Sequence, residues 1–182
     1  MLVLTGKTCS GKDTIKKELV KLGMTPIITY TTRPMRDGEV DGEAYHFISK
    51  SEFMKKVDEG FFAEITYYNV ANGDTWFYGS SEVDYIENGV MILNPGGIKD
   101  LLYIHQLEPI VIYIDTTDET ISKRLISRGD NENEAKRRLQ ADHVDFLNVY
   151  KMCDVVISNN GEYTPVEIAK EIYDVYKILR RK

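Results

Sequence analysis

Apolar positions along this chain gather into short runs separated by longer stretches of helical periodicity. Runs rich in β-branched residues recur at 1–5, 26–30, 90–94, 110–115 and 154–158. Near-continuous hydrophobic strands alternating with amphipathic helices are the signature of a parallel sheet covered on both faces. The alternation breaks between about residues 31 and 80. That segment begins rich in Arg and Gly and continues through Tyr45-His46-Phe47-Ile48 and a helical stretch at 51–58. Two aromatic runs follow, 61–68 and 75–78, with a turn signal at Val70-Ala71-Asn72-Gly73-Asp74 between them. The pattern predicts one α/β domain over 1–182, with a core of 1–30 and 81–182. A small mixed or antiparallel lobe is inserted at about 31–80. The segment 128–134 is polar and charged, and separates a helix containing Arg124 from one containing Arg137 and Arg138. It reads as part of a short lid at about 125–138. The last helix is framed by Thr164 as N-cap, Pro165 at the first position and Glu167 completing a capping box. Its apolar stripe is Ile168, Ile172, Val175 and Leu179.

Directly after the first run stands Gly6-Lys7-Thr8-Cys9-Ser10-Gly11-Lys12, followed by a helical segment from Lys12 to about Leu22. A strand, a Gly-containing loop and a helix in that order make a cradle for a polyphosphate. Glycines let successive N–H groups converge, Lys12 adds a point charge, and the helix dipole points at the same spot. Residues 6–14 are therefore the candidate ATP phosphate site: Gly6, Lys7, Thr8, Cys9, Ser10, Gly11, Lys12, Asp13 and Thr14. Asp13 stands where Ser or Thr usually meets Mg²⁺. Either Thr14 supplies the hydroxyl or Asp13 meets the metal through water.

Charge narrows the partners. A formal charge of −6 and a pI near 5.2 argue against a nucleic-acid surface, so nucleotides, if bound, are small and held by a few local arginines. No apolar stretch approaches the roughly 20 residues that span a bilayer, and the chain begins in its first strand, so no membrane association and a cytoplasmic location are expected. Cys9 and Cys153 offer neither metal spacing nor a disulfide framework. His46, His105 and His143 share no motif spacing and read as structural or solvent-facing.

The tract from Thr29 to Phe47 holds Arg33 and Arg36 among hydroxyls, then Glu39, Gly42 and Tyr45. Arginine forks suit bidentate capture of phosphate oxygens. With the phosphate loop, this tract resembles guanylate kinase, whose acceptor site carries the pattern T-R-x-x-R-x-G-E-x-x-G-x-x-Y-x-F. The resemblance spans nearly the whole chain. It implies a P-loop NTPase-type parallel sheet with a GMP-binding lobe and a lid. The implied reaction is transfer of the γ-phosphoryl group of ATP to GMP, with dGMP as a further acceptor, and with Mg²⁺ as cofactor in a monomer or homodimer.

Carried over by position, the resemblance makes Arg33, Arg36, Tyr45 and Tyr78 ligands of the GMP phosphate. Glu64 becomes the carboxylate that reads guanine, with Thr29, Ser80 and Asn94 beside the base. Arg124, Arg128 and Arg138 match lid arginines that join Lys12 in catalysis, and Asn159 matches an asparagine near the adenine of ATP. Asn94 stands where the family usually has an aspartate, the stretch between Tyr67 and Phe77 is longer than usual, and the lid is about a residue shorter. Two other readings stay open at this point. One is a kinase for another nucleoside monophosphate or small phosphorylated acceptor, since the arginine cluster serves any phosphate. The other is a non-catalytic module of the same fold that binds peptides.

Overall fold

The computed structural model describes the chain apart from residues 71–72, 105–106, 130–131 and 182, and the side chains of 128 and 132–135 are outside the description as well. His105 is thus outside it. Five parallel strands form the first sheet: β1 (Leu2–Thr5), β2 (Thr25–Pro26), β7 (Gly89–Ile92), β8 (Ile110–Asp115) and β9 (Val155–Ser158), in the order β2-β7-β1-β8-β9. β1 is the centre, pairing Leu2 with Val90 on one side and with Ile110 on the other. Both of its faces are dry because each is covered. Leu2 and Leu4 face Ile15 and Leu19 of α1 (Lys12–Lys21) and Ile168 and Ile172 of α6 (Pro165–Leu179). Val3 faces the other way, packing with Met91, Val111 and Ile98 and Leu101 of α3 (Pro95–Leu102). Period-two alternation in the strands thus decides which helix each side chain meets.

The second sheet carries the lobe. It is mixed, ordered β4-β3-β6-β5, from β3 (Thr29–Thr31), β4 (Tyr45–Phe47), β5 (Glu64–Asn69) and β6 (Thr75–Ser80). The run read from sequence as one strand at 26–30 is two strands in different sheets. Ile27 still donates its N–H to Val90 O and buries its side chain in the core, whereas Tyr30 turns its ring to His46, Phe61 and Phe62 of the lobe. Phe53 of α2 (Lys50–Asp58) is fully buried against Phe62 and Phe77, so the lobe has its own aromatic core.

Two segments are more regular than the sequence suggests. Residues 94–97, Asn-Pro-Gly-Gly, start α3: Asn94 Oδ1 accepts the Gly97 N–H at 2.8 Å and Pro95 sits at the first helical position. The paired glycines conceal this from a propensity reading. The expected lid is mostly helix, since α4 (Asp118–Arg128) ends at Gly129, with φ 75°, and α5 (Glu132–Asp145) begins three residues later.

In α6 the capping box is formed on both sides, Thr164 Oγ1 accepting the Glu167 N–H and Glu167 accepting the Thr164 N–H at 2.8 Å. The stripe is rotated from the expected one: Ile168, Ala169, Ile172 and Tyr176 are buried, and Val175 and Leu179 only partly. Tyr176 is buried where Val175 was expected, and its hydroxyl donates to Glu87 O at 2.6 Å. Thr164→Ala should cost about 1 kcal/mol, a fall of about 2–4 °C in the thermal midpoint by calorimetry.

Candidate active site

The loop after β1 curls because two residues take up positive φ, Cys9 at 57° and Gly11 at 93°. Gly11 is required there for a second reason, since a Cβ would meet Asn159 Nδ2 at 2.5 Å. Lys12 lies over the loop, its ammonium donating to Gly6 O at 2.6 Å, Lys7 O at 2.7 Å and Ser10 Oγ at 3.2 Å. Burial lowers its pKa, while Asp13 and Asp142 work in the opposite direction. Behind the loop, Asn159 Nδ2 donates to Ser10 O at 2.7 Å. Arg124 donates to Cys9 O at 3.1 Å and to Asn159 O at 3.0 Å. From the side, Lys7 Nζ pairs with Asp118 Oδ1 at 2.8 Å, and the Thr8 N–H donates to Asp142 Oδ2 at 2.7 Å.

A cavity of about 240 Å³ runs from this loop to the lobe. It brings together Gly6, Thr8 and Lys12 with Thr29, Arg36, Tyr45, Glu64, Tyr78, Asn94 and Arg138 of the expected site residues. The lobe wall is built by strand pairing. Glu64, Thr66 and Tyr68 alternate along β5, and their partners Ser80, Tyr78 and Trp76 lie opposite on β6, so all six share one face.

Glu64 is 3% exposed, and its Oε1 accepts the Ser80 hydroxyl at 2.8 Å. Burial pushes its carboxyl up to about 7, with the Ser80 hydrogen bond pulling the other way. Tyr85 meets Ser80 Oγ at 2.6 Å from behind. Gly97 leaves room for the carboxylate, as a Cβ there would be 2.7 Å from Glu64 Oε2. Asn94 has both ends of its amide engaged: Oδ1 caps α3, and Nδ2 donates to the Tyr68 hydroxyl at 2.5 Å.

Arg33 is 5% exposed and held away from the cavity lining, donating to Glu39 Oε1 and Pro34 O at 2.8 Å each and lying over the rings of Tyr45 and Phe47. Burial opposes ionisation of Glu39, yet the bonds from Arg33 and the Arg36 N–H hold its carboxyl below its ordinary value. Arg36 lines the cavity. Asp13 instead lines a second cavity, of about 560 Å³, with Lys16 and Tyr45. Thr14 is exposed. The Arg128 side chain lies outside the described residues.

Sequence reasoning missed the Thr66, Tyr68 and Trp76 wall, the Glu39 clamp, the Tyr85 support and Asp142. Alternation from Glu64 would have found the first of these. The others depend on long-range placement.

Comparison with known proteins identifies the family. A model of the guanylate kinase family matches residues 1–175. The guanylate kinase of Sulfurimonas denitrificans is 30% identical, over 88% of this chain and 80% of its own length. That of Wolinella succinogenes is 30% identical over 100% and 91%. Among solved structures, a guanylate kinase from Anaplasma phagocytophilum superposes with a TM-score of 0.75 at 21% identity, covering 100% of this chain and 87% of the other, which shows a common fold.

Asn159→Ala should separate bracing of the loop from nucleotide contact. It leaves the buried Ser10 carbonyl without its donor, and should lower the stability of the unliganded protein by about 1–3 kcal/mol in denaturant titration. A side chain that served only a bound nucleotide would leave that midpoint unchanged. The phosphate loop after β1, the acceptor tract on the lobe and a family match over nearly the whole length place this chain in the guanylate kinase family.

Proposed function

We propose a division of labour for the reaction of the family, transfer of the γ-phosphoryl group of ATP to GMP giving ADP and GDP. The observation that carries it is one cavity with loop residues Gly6 and Thr8 and with Lys12 at one end and the buried Glu64 carboxylate at the other. The triphosphate lies on residues 6–14, with Lys12 turning from its own loop carbonyls to the β and γ oxygens. Arg36, Tyr45 and Tyr78 take the GMP phosphate, and Arg33 acts from behind them as a fixed charge oriented by Glu39. Guanine donates its N1–H and 2-amino group to Glu64, which Ser80 orients, while Thr29 and Asn94 border the base. dGMP carries the same base and phosphate and is a second acceptor.

Phosphoryl transfer asks for positioning and neutralisation of charge rather than a general base. Arg138, which lines the cavity, supplies positive charge to the transferring group; the resemblance assigns Arg128 the same part, and its side chain lies outside the described residues. Arg124 and Asn159 act through the loop they brace.

The oxygen donors at the start of α1 suit Mg²⁺ by their chemistry, although neither lines the cavity that holds the phosphate loop and Asp13 lines the second one. Asp13 is an exposed carboxylate and Thr14 a neighbouring hydroxyl, which together with phosphate oxygens and water suit a small hard cation. When bound, it supplies neutralisation of the β and γ oxygens. Among the described residues there is no cluster of three or more His, Cys, Asp or Glu that would hold a metal on its own, in keeping with an ion that arrives with ATP. The oligomeric state proposed is a monomer or homodimer. Among the described residues no helix is long and apolar enough to cross a membrane, and no disulfide joins Cys9 and Cys153; a cytoplasmic location fits both.

The decisive experiment is ADP release from ATP and Mg²⁺ with GMP, dGMP, AMP, CMP and UMP offered separately. Turnover confined to the guanine nucleotides is expected, and equal turnover of AMP would overturn the base assignment. Lys12→Met should lower kcat by several orders of magnitude, since a charge stabilising the transition state contributes ~3 kcal/mol or more. Near-normal turnover in that variant would remove Lys12 from the mechanism.

The pKa of Glu64 sets a pH dependence. The ionised form accepts from guanine, so lowering the pH from 8 to 6, through its value of about 7, should weaken GMP binding by about tenfold beyond what the phosphate contributes. GMP's own phosphate titrates at about pH 6. Glu64→Gln keeps that titration and loses the carboxylate, so the difference between the two proteins isolates Glu64. The variant should bind GMP about tenfold to a hundredfold more weakly at pH 8. Identical pH profiles for wild type and variant would exclude Glu64 from base recognition.

A further inference from the structure

One side chain on the lobe wall has no part in the division of labour above. Tyr68 follows Glu64 and Thr66 on the same face of β5 and lines the cavity with them. Its ring lies edge-on to that of Tyr78, with the centroids 5.7 Å apart. Its hydroxyl reaches the start of α3, where Asn94 Nδ2 donates to it at 2.5 Å.

The helix cap fixes the direction of that bond. The Gly97 N–H can only donate, so the arm of Asn94 that meets it at 2.8 Å is the oxygen. The arm that meets Tyr68 is then the amino group, which donates and cannot accept. The Tyr68 oxygen is thereby an acceptor from Asn94, and its own proton is left for another group. Asn94 is the one hydrogen-bonding partner of this hydroxyl among the described residues. Asp142 and Asp145 of α5 act on it through their charge. Burial above all, and then those charges, hold the phenol well above its ordinary pKa against the pull of the Asn94 bond, so it keeps its proton near neutral pH.

Position selects the group that receives the proton. Glu64 takes the base, and Tyr78 takes the phosphate with Arg36 and Tyr45. Tyr68 packs on Tyr78 at one side. At the other, its partner Asn94 is bonded to Gly97, where a Cβ would stand 2.7 Å from Glu64 Oε2. Tyr68 therefore stands between the ligands of the base and those of the phosphate, and the part of a 5′-nucleotide that joins the two is the sugar. Along the edge of a guanine nucleotide, the 2-amino group that Glu64 takes is followed by N3 and then by the ribose 2′-hydroxyl. That hydroxyl accepts a hydrogen bond, whereas the 2′-carbon of a deoxyribose does not.

We propose that Tyr68 reads the sugar of the acceptor: held by Asn94, its O–H donates to the ribose 2′-hydroxyl of GMP, so that GMP is preferred to dGMP. dGMP remains an acceptor because its base and phosphate are the same, but it leaves the Tyr68 proton without that partner. The proposal rests on the placing of the acceptor nucleotide between Glu64 and Tyr78.

The test is kcat/KM for GMP and for dGMP, at saturating ATP and Mg²⁺, in the wild type, Y68F, N94S and E64Q, each checked for an intact thermal transition. The wild type should prefer GMP about twofold to tenfold, the range of one neutral hydrogen bond. Y68F removes only the hydroxyl, and should bring the ratio near one by raising KM for GMP with little change for dGMP. N94S keeps a cap for α3 but has no second arm for Tyr68, and should lower the ratio in the same way. A wild-type ratio near one, or a ratio unchanged in Y68F or N94S, overturns the proposal. So does an equal loss for both nucleotides in Y68F, which is what a contact with the base or a purely structural role gives. E64Q tests the placing of the acceptor, and should weaken both nucleotides equally. If E64Q affects neither, the acceptor-site reading itself falls; if it weakens both while Y68F keeps the wild-type ratio, only the role of Tyr68 falls.

Discussion

A loop that turns its N–H groups outward to receive phosphate must turn its carbonyls inward, and each inward carbonyl needs a donor. Much of this fold is arranged around that accounting. Gly6 O and Lys7 O accept from Lys12, Cys9 O from Arg124, and Ser10 O from Asn159. The donors come from α1, from α4 and from the end of β9, so the loop is only as fixed as the alignment of those elements. That alignment follows from the parallel sheet, in which β1, β8 and β9 run side by side and deliver their carboxyl ends to one edge. The buried helices α1 and α6 hold the edge from one face and α3 from the other.

The lobe meets a different constraint, the burial of a carboxylate. Glu64 is almost wholly removed from water, with one hydroxyl bonded to one of its oxygens. Its raised pKa means that the folded state favours the protonated form, so stability falls as pH rises from the ordinary carboxylate value of 4.5 to about 7, above which the cost of the buried charge is complete. Guanine, with two adjacent donors, is the ligand that offsets this. A buried acid is thus a cost to folding and a means of selecting a ligand with matching donors. Gly97 belongs to the same arrangement, because any side chain there would displace the carboxylate.

Between these two regions lie charges already paired before any ligand arrives. Arg33 rests on Glu39, Arg124 on the loop, and Asp142 on the Thr8 N–H. Ready-made partners keep these groups oriented and limit what must be desolvated on binding.

The sequence by itself determined the class of fold, the phosphate loop, the inserted lobe and the start of α6, because strand runs, glycine spacing and capping residues act over a few neighbours. It also pointed to Glu64, Arg36, Tyr45 and Lys12, which line one cavity. Tertiary structure decided the rest. It split the 26–30 run between two sheets, since Ile27 finds its partners in the core and Tyr30 in the lobe. It made Asn94 a helix cap bonded to Tyr68, a use that depends on β5 passing within reach of the start of α3. It brought Asp142 to a loop 134 positions earlier in the chain. Local patterns encode the direction of a backbone and the face of a side chain, but which buried donor meets which acceptor depends on how separate elements pack.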